Sequence, residues 1–129
     1  MTKQVIGEPL EINGRRLSLS RAIRAGDFVF LTGQIPMQNG AVMTSGDISD
    51  QTRVVLDEIK ATLAMAGCEL SDVVKAMVWL RDRADFPGFN AVYAEYFPDD
   101  PPARSAVISE LLVDVRVEVE VVAYRPLPA

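Results

Sequence analysis

The stretch "PPARSAVISE", residues 101–110, sets a guanidinium, Arg104, between two prolines and an alternating, strand-like run. A guanidinium offers a planar fork of N–H donors that matches a carboxylate, and it stays charged when partly buried. Pro101 and Pro102 restrict the backbone leading to it. The residue alone leaves two readings open: a solvated strand-entry arginine, or a clamp for an acid. Further on, "VEVEVV" puts Glu118 and Glu120 on one face of a strand, about 6.5–7 Å apart along the chain, with Val117, Val119 and Val121 on the other. They form either a solvated face or a carboxylate pair that orients or activates water. Thr32-Gly33-Gln34 closes an earlier apolar run. A hydroxyl followed by glycine can line a ligand site that needs close backbone approach, or it can be ordinary turn chemistry. Asn90 and Tyr93, at i and i+3, belong to a pocket or to a helix cap and core. Cys68 has no metal-spaced partner and reads as a packed thiol. The methionines and Trp79 read as core.

Two absences narrow the chemistry. The chain has no histidine, which excludes a Ser-His-Asp or Cys-His nucleophile and a histidine metal site within one chain. Carboxylates, Lys, Tyr and water remain as proton carriers. One cysteine excludes an internal disulfide and the usual cysteine metal clusters. The net charge of −5, with no Lys/Arg run longer than Arg15-Arg16, argues against nucleic-acid binding. No apolar run is long enough to span a bilayer, and "MTKQVIGEPL" has no apolar signal region. A cytoplasmic protein without membrane contact is the expectation.

The elements that must position these groups follow from periodicity. The 129 residues suit one domain over 1–129, without repeats or linkers. Leu17, Leu19, Arg21 and Ile23 alternate, the chain turns at Ala25-Gly26-Asp27, and "FVFLTG" resumes, which predicts a β-hairpin. "MQNGAV" and "TSGD" are turn chemistry. Ile48, Thr52, Val55, Leu56, Ile59, Leu63 and Ala66 form one helical stripe, while Gln51, Arg53, Asp57, Glu58 and Lys60 face away. Asp47 or Ser49 caps this helix and Gly67 ends it. "SDVVKAMVWLRD" reads as a strand. "ADFPGFNAVYAEYF" reads as a second helix, with Asp85 as N-cap and Pro87 in its first turn. "ARSAVIS" and "VRVEVEVVAYR" are the last strands. The predicted order is β-β-α-β-α-β-β, with a short extra strand near residues 3–7. The fold class is α+β: a mixed sheet with two helices on one face, the other face open to solvent or a second subunit.

Four segments fall together in order and spacing: "FVFLTGQIP", "AGCELSDVVKAMVWLRDRADFPGFNAVYAEYF", "PPARSAV" and "VEVEVVAYR". Over about residues 20–125 the chain resembles the Rid family of reactive intermediate deaminases, also called the YjgF family and labelled endoribonuclease L-PSP. The resemblance implies a chorismate-mutase-like sheet with two helices on one face. It implies a homotrimer whose sheets line a central barrel, with sites between subunits. It also implies hydrolysis of enamine or imine acids to 2-keto acids and ammonia, without metal or cofactor. On that likeness Arg104 binds the substrate carboxylate and Glu118 positions the hydrolytic water, while Thr32, Gly33 and Asn90 line the pocket. The chain departs from the family at Ala106, where many members have cysteine. It departs again at Leu19, where many carry a tyrosine that reaches into the neighbouring pocket. Both departures put the substrate in doubt and keep a non-catalytic carboxylate binder open as an alternative. A ribonuclease or translation inhibitor conflicts with the acidic balance and the absent histidine.

Overall fold

Alternation along the last strand sets the architecture. In a computed structural model, which describes residues 2–128, Val117, Val119, Val121 and Ala123 of Val117–Tyr124 are buried, while the residues between them face the other way. This strand is β10. The earlier strands are β1 (Gln4–Ile6), β2 (Glu11–Ile12), β3 (Arg15–Arg16), β4 (Ala22–Ala25) and β5 (Phe28–Leu31). They are followed by β6 (Met37–Gln38), β7 (Ala41–Val42), β8 (Val73–Leu80) and β9 (Ala103–Ile108), with helices α1 (Ile48–Met65) and α2 (Phe86–Tyr96). Six strands form one sheet in the order β1-β4-β5-β10-β8-β9. All neighbours are antiparallel except β8 and β9, which α2 connects in parallel. The sequence-last strand, β10, therefore sits inside the sheet. β2–β3 and β6–β7 are separate two-stranded ribbons.

Both helices pack on one face. Val55, Leu56, Ile59 and Leu63 of α1 and Phe89 and Val92 of α2 meet Val29, Ala76, Val78, Leu80 and the β10 valines in one core. Asp47 and Asp50 build a reciprocal capping box at the start of α1, each carboxylate accepting from the other's backbone N–H. Gly67 ends the helix at φ +76°, in the left-handed region that a side chain disfavours. Among the described residues no helix is long and apolar enough to cross a membrane.

Several expectations are corrected. Residues 17–21 are not strand: β4 starts at Ala22, and the stretch before it runs alongside the β2–β3 ribbon, with Leu17 N–H donating to Leu10 O. Gln51 does not face away. It is 1% exposed because its amide donates to the Met43 and Ser45 carbonyls and accepts from Arg116 N–H, stitching two loops to the helix. Asp85 precedes α2 but does not cap it, since its carboxylate pairs with Arg116 at 3.2 Å. Trp79 lies on the face without helices, and Met37, Met43, Met65 and Met77 are all at least partly exposed, so none of them belongs to the helix-side core. Cys68 is buried, as expected of a packed thiol.

The uncovered sheet face carries an aromatic cluster. Phe28 meets the Tyr124 ring edge-on at 5.1 Å and Phe30 lies beside it, yet all three are more than two-fifths exposed.

Candidate functional site

Arg104 occupies the second position of the edge strand β9, directly opposite Ala76, which is fully buried beneath the helices. Residues facing each other across a parallel pair share a side, so Arg104 projects toward α2. There Arg104 Nη1 donates to Asn90 Oδ1 at 2.9 Å. Its guanidinium lies 4.7 Å from the Tyr93 ring, 5.6 Å from Phe86 and 5.8 Å from Phe89. Positions 86, 89, 90 and 93 share one helix face because they are spaced i, i+3, i+4 and i+7. From the sequence only Asn90 and Tyr93 stand out among these; the aromatic bed formed with Phe86 and Phe89 goes unread, although this spacing is its signal. Stacking and one hydrogen bond hold the fork in place while leaving donors free. Among the described residues, Arg104 pairs with no carboxylate. Burial pushes the Tyr93 phenol up, opposed by the Arg104 charge, and its hydroxyl has no partner. Ala106, opposite Val78 on the same side, joins Arg104, Phe86 and Ile108 in lining a cleft of about 580 Å³.

Glu118 belongs to a different environment. On β10 it lies opposite Trp79, on the face that the helices leave bare. Its neighbour there is a bulge. Phe30 lies opposite Val122 and Gln34 opposite Val119, so the strand after β5 uses one residue more than its partner. Thr32 N–H donates back to Arg21 O, and Gln34 and Val119 exchange both backbone bonds at 2.8 and 3.0 Å. Among the described residues the Gly33 N–H donates to no carbonyl. A Cβ on Gly33 would overlap Glu118 Oε2, so a side chain there would displace the carboxylate from its present position. Burial, and then the charge of Glu120, raises the Glu118 carboxyl above the usual range. Glu118 lines a cavity of about 260 Å³ with Thr32, Gly33, Leu10, Leu19 and Leu112. Glu120, on the same face, is exposed. Gln34 turns the other way with Val119, and its buried Nε2 lacks a partner.

The residues singled out in the sequence thus separate into two sets. Arg104 and Ala106 line the cleft beside α2, and Asn90 lines an adjoining hollow with Tyr93 and Arg104. Glu118, Thr32, Gly33 and Leu19 line the cavity on the opposite face. The first set can hold an anion. The second offers a proton-holding carboxyl beside a free backbone donor. Among the described residues no group of Cys, Asp or Glu is arranged to hold a metal ion.

Comparison with known proteins gives this arrangement a context. Residues 15–125 match the family described as endoribonuclease L-PSP. A RutC family protein from Pyrococcus horikoshii is 51% identical over 82% of this chain and 86% of its own. The 3-aminoacrylate deaminase RutC of Acinetobacter baylyi is 42% identical over 80% of this chain and 83% of its own. Among solved structures, yeast Mmf1 superposes with a TM-score of 0.87 at 34% identity, covering 96% of this chain and 99% of that one. The protein YyfA of the Rid family from Yersinia pestis gives 0.84 at 32%, covering 95% and 99%.

Proposed function

The chain belongs to the endoribonuclease L-PSP family, which includes the Rid and RutC proteins, and on that footing we propose that it hydrolyses enamine or imine acids to oxo acids and ammonia. The observation that carries the reading is Arg104: a guanidinium oriented by Asn90 and aromatic rings, with no carboxylate partner among the described residues, in a protein of net charge −5. Such a group is poised for a substrate carboxylate.

The complementary carboxyl, Glu118, lies on the other face of the sheet, so one chain does not bring the two sets together. We place the complete site between subunits of a homotrimer, where the Arg104 cleft of one copy meets the Glu118 cavity of the next. The exposed cluster of Phe28, Phe30 and Tyr124 and the unpaired edge of β9, bearing exposed Val107 and Ile108, support association.

The chemistry needs no strong nucleophile. An enamine acid takes a proton on carbon and becomes a protonated imine, whose carbon is electrophilic. Arg104 holds the carboxylate and fixes that carbon. Glu118, in its ionised form, takes a proton from water as the oxygen bonds to the carbon of the protonated imine, giving a neutral carbinolamine. The carboxyl then passes that proton to nitrogen, the C–N bond breaks as the C=O forms, and the hydroxyl proton goes by way of Glu118 to the departing ammonia, which leaves as ammonium. The Gly33 N–H is a donor for the developing charge. Water and the protonated imine are consumed; ketone and ammonium result.

A coupled assay tests this reading. Threonine dehydratase supplies the 2-imino acid, and ammonia release is followed with and without the protein. The relative named 3-aminoacrylate deaminase makes 3-aminoacrylate the second substrate to try, because its imine carbon lies one bond farther from the carboxylate. Acceleration of either substrate supports the proposal, and acceleration of neither overturns it. The second reading, a carboxylate binder without turnover, is favoured by Leu19 and Ala106, which bring no hydroxyl or thiol to the site. Binding of 2-ketobutyrate that depends on Arg104, with no acceleration, would select it.

A further inference from the structure

The cleft beside α2 contains a second guanidinium. Arg83 lines it together with Arg104, and the other lining groups are apolar, including Leu80, Phe86 and Ile108. No acid lines this cleft although the chain carries net charge −5. The positive charge is therefore concentrated where an anion would bind.

Arg83 is fixed at its backbone and free at its tip. It begins the short 3-10 turn Arg83–Asp85, whose entry is set by Asp82 accepting from Ala84 N–H at 2.9 Å. Arg83 O accepts from Phe86 N–H, which joins the turn to α2 and so to the Arg104 bed. The nearby carboxylates are committed elsewhere: Asp82 to that cap, Asp85 to Arg116 at 3.2 Å and Asp114 to Arg81. Among the described residues Arg83 forms no ion pair. An arginine that spacing alone would assign to solvent is thus the second cation of an acid-free cleft. The cleft's 580 Å³ is ample for more than a short-chain acid.

We infer that Arg83 selects substrates bearing a second carboxylate. Arg104 holds the carboxylate next to the reacting carbon, and Arg83 holds the distal one, so the preferred class is dicarboxylic imino acids and their oxo products. This rests on the deaminase reading for its substrate, but binding alone can test it.

Calorimetry on the full chain compares 2-oxoglutarate with 2-oxopentanoate, which have the same carbon count and differ in the distal carboxylate. Wild-type protein is expected to bind the diacid about tenfold more tightly, the effect of one added charge-assisted contact. In Arg83→Met the ratio should fall to about one, while Arg104→Ala should weaken both acids. Circular dichroism confirms that each variant is folded, and Arg83→Lys, which keeps the charge, should retain part of the preference. A ratio near one in wild type, a preference that survives Arg83→Met, or no binding of either acid overturns the inference. Ammonia release from the corresponding imines is measured in parallel. If turnover is absent but the binding ratio depends on Arg83, the deaminase reading fails and the dicarboxylate selectivity stands.

Discussion

Arg104 and Glu118 stand on opposite faces of one sheet. Arg104 lies across from buried Ala76 on the helix side, and Glu118 lies across from Trp79 on the bare side. Only β8 lies between β9 and β10, so lateral distance is not the obstacle; the sheet separates the two because they project from opposite faces. In the proposed reaction the two residues come from different copies of the chain.

Complementation is the direct test. Arg104→Ala and Glu118→Gln are each expected to be inactive. Co-refolded at equal amounts, they should regain about a quarter of wild-type turnover, since random pairing gives that share of interfaces with both groups intact. A mixture no more active than its parents would sink the intersubunit site.

Arg104→Ala should weaken 2-ketobutyrate binding by roughly 100-fold, as expected for losing a bidentate charge-assisted pair. Arg104→Lys keeps the charge but loses the fork and the flat stacking on Tyr93, so it should recover less than about a tenth of wild-type affinity. Titration calorimetry reads both. Wild-type affinity in the lysine variant would mean that the planar geometry is irrelevant.

The raised Glu118 carboxyl makes a signed prediction. Its folded form holds a proton at pH values where the unfolded chain has released it. That contribution to stability is present below the ordinary glutamate range and is lost as pH rises through the higher folded value. Glu118→Gln, which cannot ionise, should therefore lack this decline and melt higher than wild type near neutral pH. Thermal melts from acid to neutral pH check it; parallel curves for the two proteins would refute it. Turnover should rise with pH over the same interval as the base form appears.

Gly33→Ala should destabilise the protein by only about 1 kcal/mol, because the overlapped atom ends a flexible side chain that can turn aside. The overlap is with the Glu118 carboxylate, so the same change in a Glu118→Ala background should cost clearly less. Urea unfolding of the four-protein cycle measures the coupling, and additive costs would place the strain elsewhere.

Gln51→Ala should cost about 2–4 kcal/mol although glutamine rarely contributes so much, because it orphans the Arg116 N–H and two loop carbonyls. Urea midpoints check this; a change within experimental error would show that water replaces the amide.

The periodicity of the chain carried most of the architecture. The α1 stripe, the β8–α2–β9 crossover and the alternation of β10 were legible because each buries one face against one neighbour. What escaped is non-local. Gln51 sits at a position whose spacing predicts solvent, and its burial depends on Arg116, 65 residues away. Trp79 reads as core from its type, but a strand has two faces, and its neighbours decide which one the helices cover. The likeness to the Rid proteins named Arg104 and Glu118, yet only the register shows that a sheet divides them. The partnering of Gly33 with Glu118, and of Arg83 with Arg104, joins segments whose approach no local pattern encodes.

The position of β10 bears on how the chain is made. The last of this sheet's strands to emerge during synthesis lies between β5 and β8. Until it arrives, the amino-terminal hairpin and the β8–β9 pair have no shared hydrogen bonds, and their apolar edges face each other across a gap. Arg24 closes the same circuit, since its guanidinium reaches Arg125 O, 101 residues later, as well as Ala66 O at the end of α1. Such long-range closure slows folding and leaves a nascent chain two half-sheets wide. A ribosome-bound chain ending before residue 117 should thus engage holding chaperones, and release of the final strand should convert it to the native sheet in a single step.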